Sequence, residues 1–174
     1  SYVLREAEIP VLPADHDPIR ILHFSDLHLT PRRKTEIADI KSWVKYSPDL
    51  VISTGDFLAD MKAVPVVLDA LDGLLDIPGL FVFGSNDYYA PKPKNPLKYL
   101  LPNHGKRVHG PELPWKDLDA GLQARGWKNI NTSRTTIKIN NTATACAISW
   151  KVAAASAKVA HPEVSASASG LDDI

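Results

Sequence analysis

Between residues 19 and 87, three short apolar runs alternate with two amphipathic segments, and each run ends in side chains able to bind a metal. The first is Ile19 to His28, Ile-Arg-Ile-Leu-His-Phe-Ser-Asp-Leu-His, whose apolar and β-branched start reads as a buried strand. Its end sets Asp26 and His28 two residues apart. The second, Asp49-Leu-Val-Ile-Ser-Thr-Gly55-Asp56, runs into a glycine and a carboxylate. The third, Gly79-Leu-Phe-Val-Phe-Gly84-Ser85-Asn86-Asp87, ends in a glycine, an amide and a carboxylate. Ile37, Ile40, Trp43 and Val44 fall at helical spacing and predict a helix over 35–46, stopped by Ser47-Pro48-Asp49. Val64, Val67, Leu68, Leu71, Leu74 and Leu75 mark a second helix with Pro65 in its first turn. Such a β-α-β-α-β order predicts an α/β fold with parallel strands, because crossovers of one hand bring the strands' C-terminal ends to one edge. Ligands bind at that edge in open α/β sheets. Asp26, His28, Asp56 and Asn86 are therefore expected together, and the glycines before two of them let the backbone turn sharply or approach an ion closely.

In combination, Asp26-Leu-His28, Gly55-Asp56 and Gly84-Ser85-Asn86-Asp87 resemble the motifs of the calcineurin-like metallophosphoesterase superfamily. The resemblance covers about Tyr2 to Asn141. Asp87-Tyr-Tyr-Ala-Pro-Lys-Pro-Lys-Asn-Pro-Leu is similar to the loop after the third motif in an actinobacterial branch of bacterial, often membrane-anchored, phosphoesterases. The resemblance implies a layered sheet with helices on both faces, the N-terminal half of a metallophosphoesterase α/β sandwich. It implies phosphoric ester hydrolysis by a metal-bound hydroxide at two divalent ions (Mn, Fe or Zn), a chemistry in which paired cations clamp the phosphoryl oxygens. By the same resemblance Asp26 and His28 bind the first metal, Asp56 bridges, and Asn86 binds the second, so that Asp56 and Asn86 carry the catalytic role.

Two departures accompany the resemblance. The family's third motif is Gly-Asn-His-Asp or Glu, whereas this chain has Gly84-Ser85-Asn86-Asp87. In register, Ser85 stands at the metal-binding Asn and Asn86 at the acid His. Asn86 is the better ligand, because a neutral hydroxyl binds metals poorly; the histidine general acid is missing either way. The family also completes its site with a lone His and a Gly-His-x-His motif from later strands, and no such motif occurs here. The expectation is half of a dinuclear site in a truncated chain, weak or inactive by itself. The alternative is a degenerate, non-catalytic α/β protein that keeps the scaffold for binding. An unrelated phosphate-binding module has no Gly-rich phosphate-cradling loop to support it.

The rest of the chain divides into a lead-in over 1–18, the phosphoesterase-like domain over 19–142, and an atypical tail over 143–174. Val3 to Val11 alternates weakly, as an edge strand would, before Pro10, Pro13 and Pro18. Thr30-Pro31 signals helix entry, and Arg32-Arg33-Lys34 is either a solvated loop or a hold on a substrate phosphate. Residues 90–114 hold six of the 14 prolines and read as a long loop, either a rim over the site or a surface excursion. Tyr88 and Tyr89 either stack or hydrogen-bond near the site or, as aromatics beside a strand end usually do, lie in the core. A helix over 114–125 and strands over 127–131 and 135–139 follow, with a further strand possible over 145–150. Ala and Ser then supply 15 of the 27 residues from 143 to 169, an insertion or a shifted reading frame ending in a loop-like or disordered stretch.

With 20 basic and 20 acidic side chains the formal charge is zero, which gives no general attraction to nucleic acid. Cys146 is the only cysteine, so no intrachain disulfide can form. No apolar run reaches membrane-spanning length, and the opening at Ser1 leaves an anchor upstream as an expectation from the resemblance, with a cytoplasmic or membrane-associated location both open. Among the histidines, His23 is expected in the core or behind the ligands, and His16, His104 and His109 in solvent, while the Ala/Pro surroundings of His161 give no support for ligation. The expected partner is a phosphate ester; monoester, cyclic nucleotide, phospholipid and sugar nucleotide all remain open.

Overall fold

In the computed structural model, residues 2–12, 17–90, 110–132, 134–139 and 142–147 are described. Four parallel strands form the central sheet in the order β1 (Ile21–Phe24), β2 (Leu50–Ser53), β3 (Gly79–Phe81) and β4 (Lys128–Asn129). Ile21 stands opposite Leu50 and Val51 opposite Gly79, so the three strands that lead to the candidate ligands end level with one another. Between them run α1 (Lys34–Lys41) and α2 (Ala63–Leu75), and before β4 come the one-turn α3 (Ser85–Tyr88) and α4 (Trp115–Ala124). The α/β class read from the alternation is thus observed, a parallel sheet with helices.

A strand order that steps in one direction, with crossovers of one hand, places every connecting helix on the same face. Accordingly Ile40 of α1, Val67, Leu71 and Leu74 of α2, and Leu118 and Leu122 of α4 share one core with Phe24, Val51 and Phe81. Among the described residues the opposite face is covered by an antiparallel hairpin, β5 (Arg134–Ile139) and β6 (Thr142–Ala147), and not by a second set of helices. Ile137 and Ile139 of β5 pack there on Leu50, Leu80, Val82 and Ile130.

Trp127 locks the helical face. It is 2% exposed, its indole N–H donates to the Ile77 carbonyl at 3.1 Å, and a Cβ at Gly79 would run into its ring. Arg125, just past α4, pairs with Asp72 of α2 and with Asp76 at that helix's C-cap, each at 2.8 Å; these exposed bridges contribute little beside the apolar core. No described helix is long and apolar enough to cross a membrane.

Several local expectations are corrected. The segment 2–12 forms no strand: Pro10 offers no N–H, Val3 and Ile9 lie in solvent, and Tyr2 alone is tethered, edge-on to Trp43 at 5.2 Å. The helix expected over 35–46 is α1 followed by a tighter 3-10 turn, Ser42–Tyr46, because Ser47 before Pro48 takes a left-handed φ of 45°. Thr30-Pro31 lies in the turn ahead of α1, which begins only at Lys34. Strand β4 is two residues long and pairs with β3, while β5 turns away to pair with β6. His23 is solvent-facing on the sheet face away from the helices, hydrogen-bonded to Thr54 Oγ1 at 3.0 Å, and is not a core residue. Partial burial still lowers its imidazole below the ordinary range. Tyr88 is half-buried and packs against the core, with its hydroxyl hydrogen-bonded to Asn131, whereas Tyr89 is 41% exposed. His16, His104, His109 and His161, the Pro-rich loop over 91–109 and the Ala/Ser tail from 148 lie outside the described residues.

Candidate metal centre

Beyond the ends of β1 and β2 the two chains continue side by side. The Asp26 amide donates to Gly55 O at 3.0 Å, His28 to Asp56 O at 2.9 Å, and Leu29 to Phe57 O at 2.8 Å. Leu27 and Leu29 are fully buried, as are Phe57 and Leu58, so apolar neighbours fasten the intervening ligand residues to the core. Phe57, directly after Asp56, meets Phe24, Phe81 and Phe83 edge-on with centroids 6.2, 6.4 and 6.2 Å away. The ligand-bearing backbone is therefore rooted in the aromatic core.

Three of the four non-glycine residues with positive φ in the described chain are Asp26 (57°), His28 (43°) and Asp56 (60°). The left-handed region costs an L-residue roughly 1–2 kcal/mol, although aspartate tolerates it better than most. Strain collected at three neighbouring polar side chains is typical of a functional site. Its effect is to turn them toward one another. Ligand atoms from Asp26, His28 and Asp56 lie within 4.8 Å of one another. His28 Nε2 stands 3.6 Å from Asp26 Oδ1 and 3.9 Å from Asp56 Oδ2. Two carboxylates and an imidazole at that spacing fit a borderline divalent cation such as Mn, Fe or Zn.

Asn86, the fourth expected ligand, comes to the same place. Its backbone N–H donates to Asp56 Oδ1 at 3.0 Å and its amide Nδ2 to Asp56 Oδ2 at 2.7 Å. Backbone and side chain of Asn86 together thus hold the Asp56 carboxylate at both oxygens. Gly84 makes the approach possible: its φ of −87° is open to any residue, but a Cβ there would overlap Asp56 Oδ1. Gly55 meets both demands, a φ of 101° and a backbone packed against the Gly84 amide.

Two residues of this arrangement are placed in ways their local pattern does not predict. Asp87, whose carboxylate closes a run of side chains expected to bind a metal, is instead fully buried and accepts four backbone N–H bonds. Burial pushes its carboxyl up to about 6, against the opposing pull of those bonds. The available signal was a carboxylate three residues after the glycine that caps α3, a spacing at which it can reach back to the cap amide. Asn131, past β4, accepts the Phe83 amide at 2.9 Å and donates to the Tyr88 hydroxyl at 3.1 Å. No local pattern marked it, since its partners lie on another strand end. Arg33 donates to the Leu27 carbonyl at 3.4 Å, which sets that cation beside the first ligand loop.

A search of curated proteins found no match. The family model of calcineurin-like phosphoesterases matches residues 19–143, more than two-thirds of the chain and all of the elements just described except most of β6. The chain therefore belongs to the calcineurin-like phosphoesterase family.

Proposed function

We propose that this chain is the metal-binding part of a phosphoester hydrolase, with Asp26 and His28 holding one divalent cation, Asp56 placed between that ion and a second, and Asn86 beside the second. The observation that supports it best is the convergence of Asp26, His28 and Asp56 within 4.8 Å at the ends of two paired strands. When bound, the cations supply Lewis-acid polarisation of the phosphoryl oxygens and a nucleophile at neutral pH. The chain's own residues do the rest. Asp56, with its side chain 16% exposed, offers two oxygens that face different neighbours: Oδ2 toward His28 and the Asn86 amide, and Oδ1 toward the Asn86 backbone. Asn86 keeps that carboxylate from rotating. The more exposed Asp26, at 65%, leaves the first position open to substrate from solvent.

Hydrolysis of an aryl phosphate ester by the full-length gene product, stimulated by Mn and abolished in Asp56→Asn, tests this reading. Absence of turnover with several metals and with both mono- and diesters would contradict it. One observation favours a second reading, a non-catalytic binding protein: the third motif carries Ser85-Asn86 and no histidine to protonate a leaving group. Metal binding without hydrolysis would select that reading.

A further inference from the structure

Asp87 has a placement that the metal-site reading does not use. It is 0% exposed and has no cation as partner among the bonds described. Among the described residues, every hydrogen-bond partner of its carboxylate is a main-chain amide. Oδ2 accepts from Asp56 at 2.7 Å and Gly84 at 2.9 Å; Oδ1 accepts from Phe57 at 2.7 Å and Leu58 at 3.0 Å. Three of these amides, from Asp56, Phe57 and Leu58, are consecutive and run through the left-handed turn at Gly55 and Asp56, with φ of 101° and 60°. Successive N–H groups in such a turn converge to form an anion-binding hollow. Here the anion is built into the chain.

We propose that Asp87 is a positioning residue: its carboxylate holds Asp56 in the left-handed turn and joins the second strand end to the third, so that Asp56 and Asn86 reach the metal centre as one rigid unit. The proposal rests on the metal-site reading above. It follows from what each bond constrains. The Asp56 and Gly84 amides share one oxygen, which fixes the two strand ends at a single separation. That separation is the one at which Gly84, lacking a Cβ, meets Asp56 Oδ1 and at which Asn86 grips both oxygens. The Phe57 and Leu58 amides, sharing the other oxygen, stop the turn from unwinding. An asparagine at 87 would match the shape but would set its NH₂ against two of the four N–H groups, releasing one pair.

The test compares the full chain with Asp87→Asn, measuring Mn affinity by titration calorimetry and folding by circular dichroism and thermal unfolding. The expected result is a folded variant whose Mn affinity falls by about 10- to 100-fold, as for other residues that orient ligands from behind. A variant that unfolds at lower temperature but, while folded, binds Mn as the parent does would overturn the proposal and leave Asp87 a purely structural residue. A parent that binds no Mn would overturn the site reading itself, and the proposal with it. Should the variant fail to fold, hydrogen exchange on the parent decides. Slow exchange at the amides of Asp56, Phe57, Leu58 and Gly84, slowed further by Mn, supports the role; exchange at the rate of open loops refutes it.

Discussion

Replacing Gly84 by alanine isolates the closest approach in the site. The glycine's φ of −87° suits alanine, so backbone conformation contributes nothing to the effect. The added methyl would overlap Asp56 Oδ1 and press on the Asp56 amide nitrogen, 3.0 Å away. The carboxylate must swing aside and give up its bonds to Asn86, 3.0 Å from the backbone and 2.7 Å from the amide. Hydrogen bonds to a charged group contribute about 1.5–3 kcal/mol each, and with the side chain 16% exposed, water recovers part of that. A net cost of about 2–3 kcal/mol for returning Asp56 to its parental position is reasonable, and at 1.4 kcal/mol per tenfold it weakens cation binding roughly 30- to 150-fold. Titration calorimetry with Mn on parent and Gly84→Ala, with thermal unfolding to show that both are folded, measures it. Parental affinity in the variant would refute the reasoning, because it would mean that the Gly84 backbone and the Asp56 carboxylate do not share this space.

Other expectations follow from the same geometry. Gly55→Ala combines the same crowding with a φ of 101°, so it is expected to lower thermal stability as well as Mn affinity, and by more than Gly84→Ala lowers either. Trp127→Ala removes a side chain 2% exposed at the centre of the helical face; a cost of about 3–5 kcal/mol lowers Tm by roughly 10 °C in a scanning calorimeter, without altering the ligand set. The carboxyl of Asp87 titrates near 6 in the folded chain against an ordinary 3.8, so the folded state binds that proton more tightly than the unfolded state. The contribution is therefore fully present below about 4 and is lost as pH rises through 6, amounting to about 3 kcal/mol at 1.36 kcal/mol per unit. Denaturant titrations in chelator at pH 4 to 7 should show this fall in the parent and not in Asp87→Asn.

The alternation of apolar runs and amphipathic segments was enough to read the parallel sheet, because a buried parallel strand must be apolar on both faces and so writes itself as an unbroken run. That Asp26, His28, Asp56 and Asn86 gather at one edge was legible for the same topological reason: level strand ends share an edge. What lay beyond reading was set by tertiary partners. The hairpin that covers the second face takes its place through Ile137 and Ile139, and nothing in its local pattern says which sheet face they meet. Asp87 looks like any polar residue in a loop until the Gly55-Asp56 turn supplies three amides that must be satisfied. The weak alternation of Val3 to Val11 is that of a strand, but a strand needs a neighbour to pair with, and this segment finds none among the described residues.

The most direct test of the account is the position of a bound ion. A crystal of the chain grown with Mn, with anomalous differences collected at the manganese edge, would be expected to show a peak about 2.0–2.4 Å from carboxylate oxygens of Asp26 and Asp56 and a ring nitrogen of His28. A map with no peak there at millimolar Mn, or with the ion held by other residues, would contradict the claim that these strand ends build a metal centre.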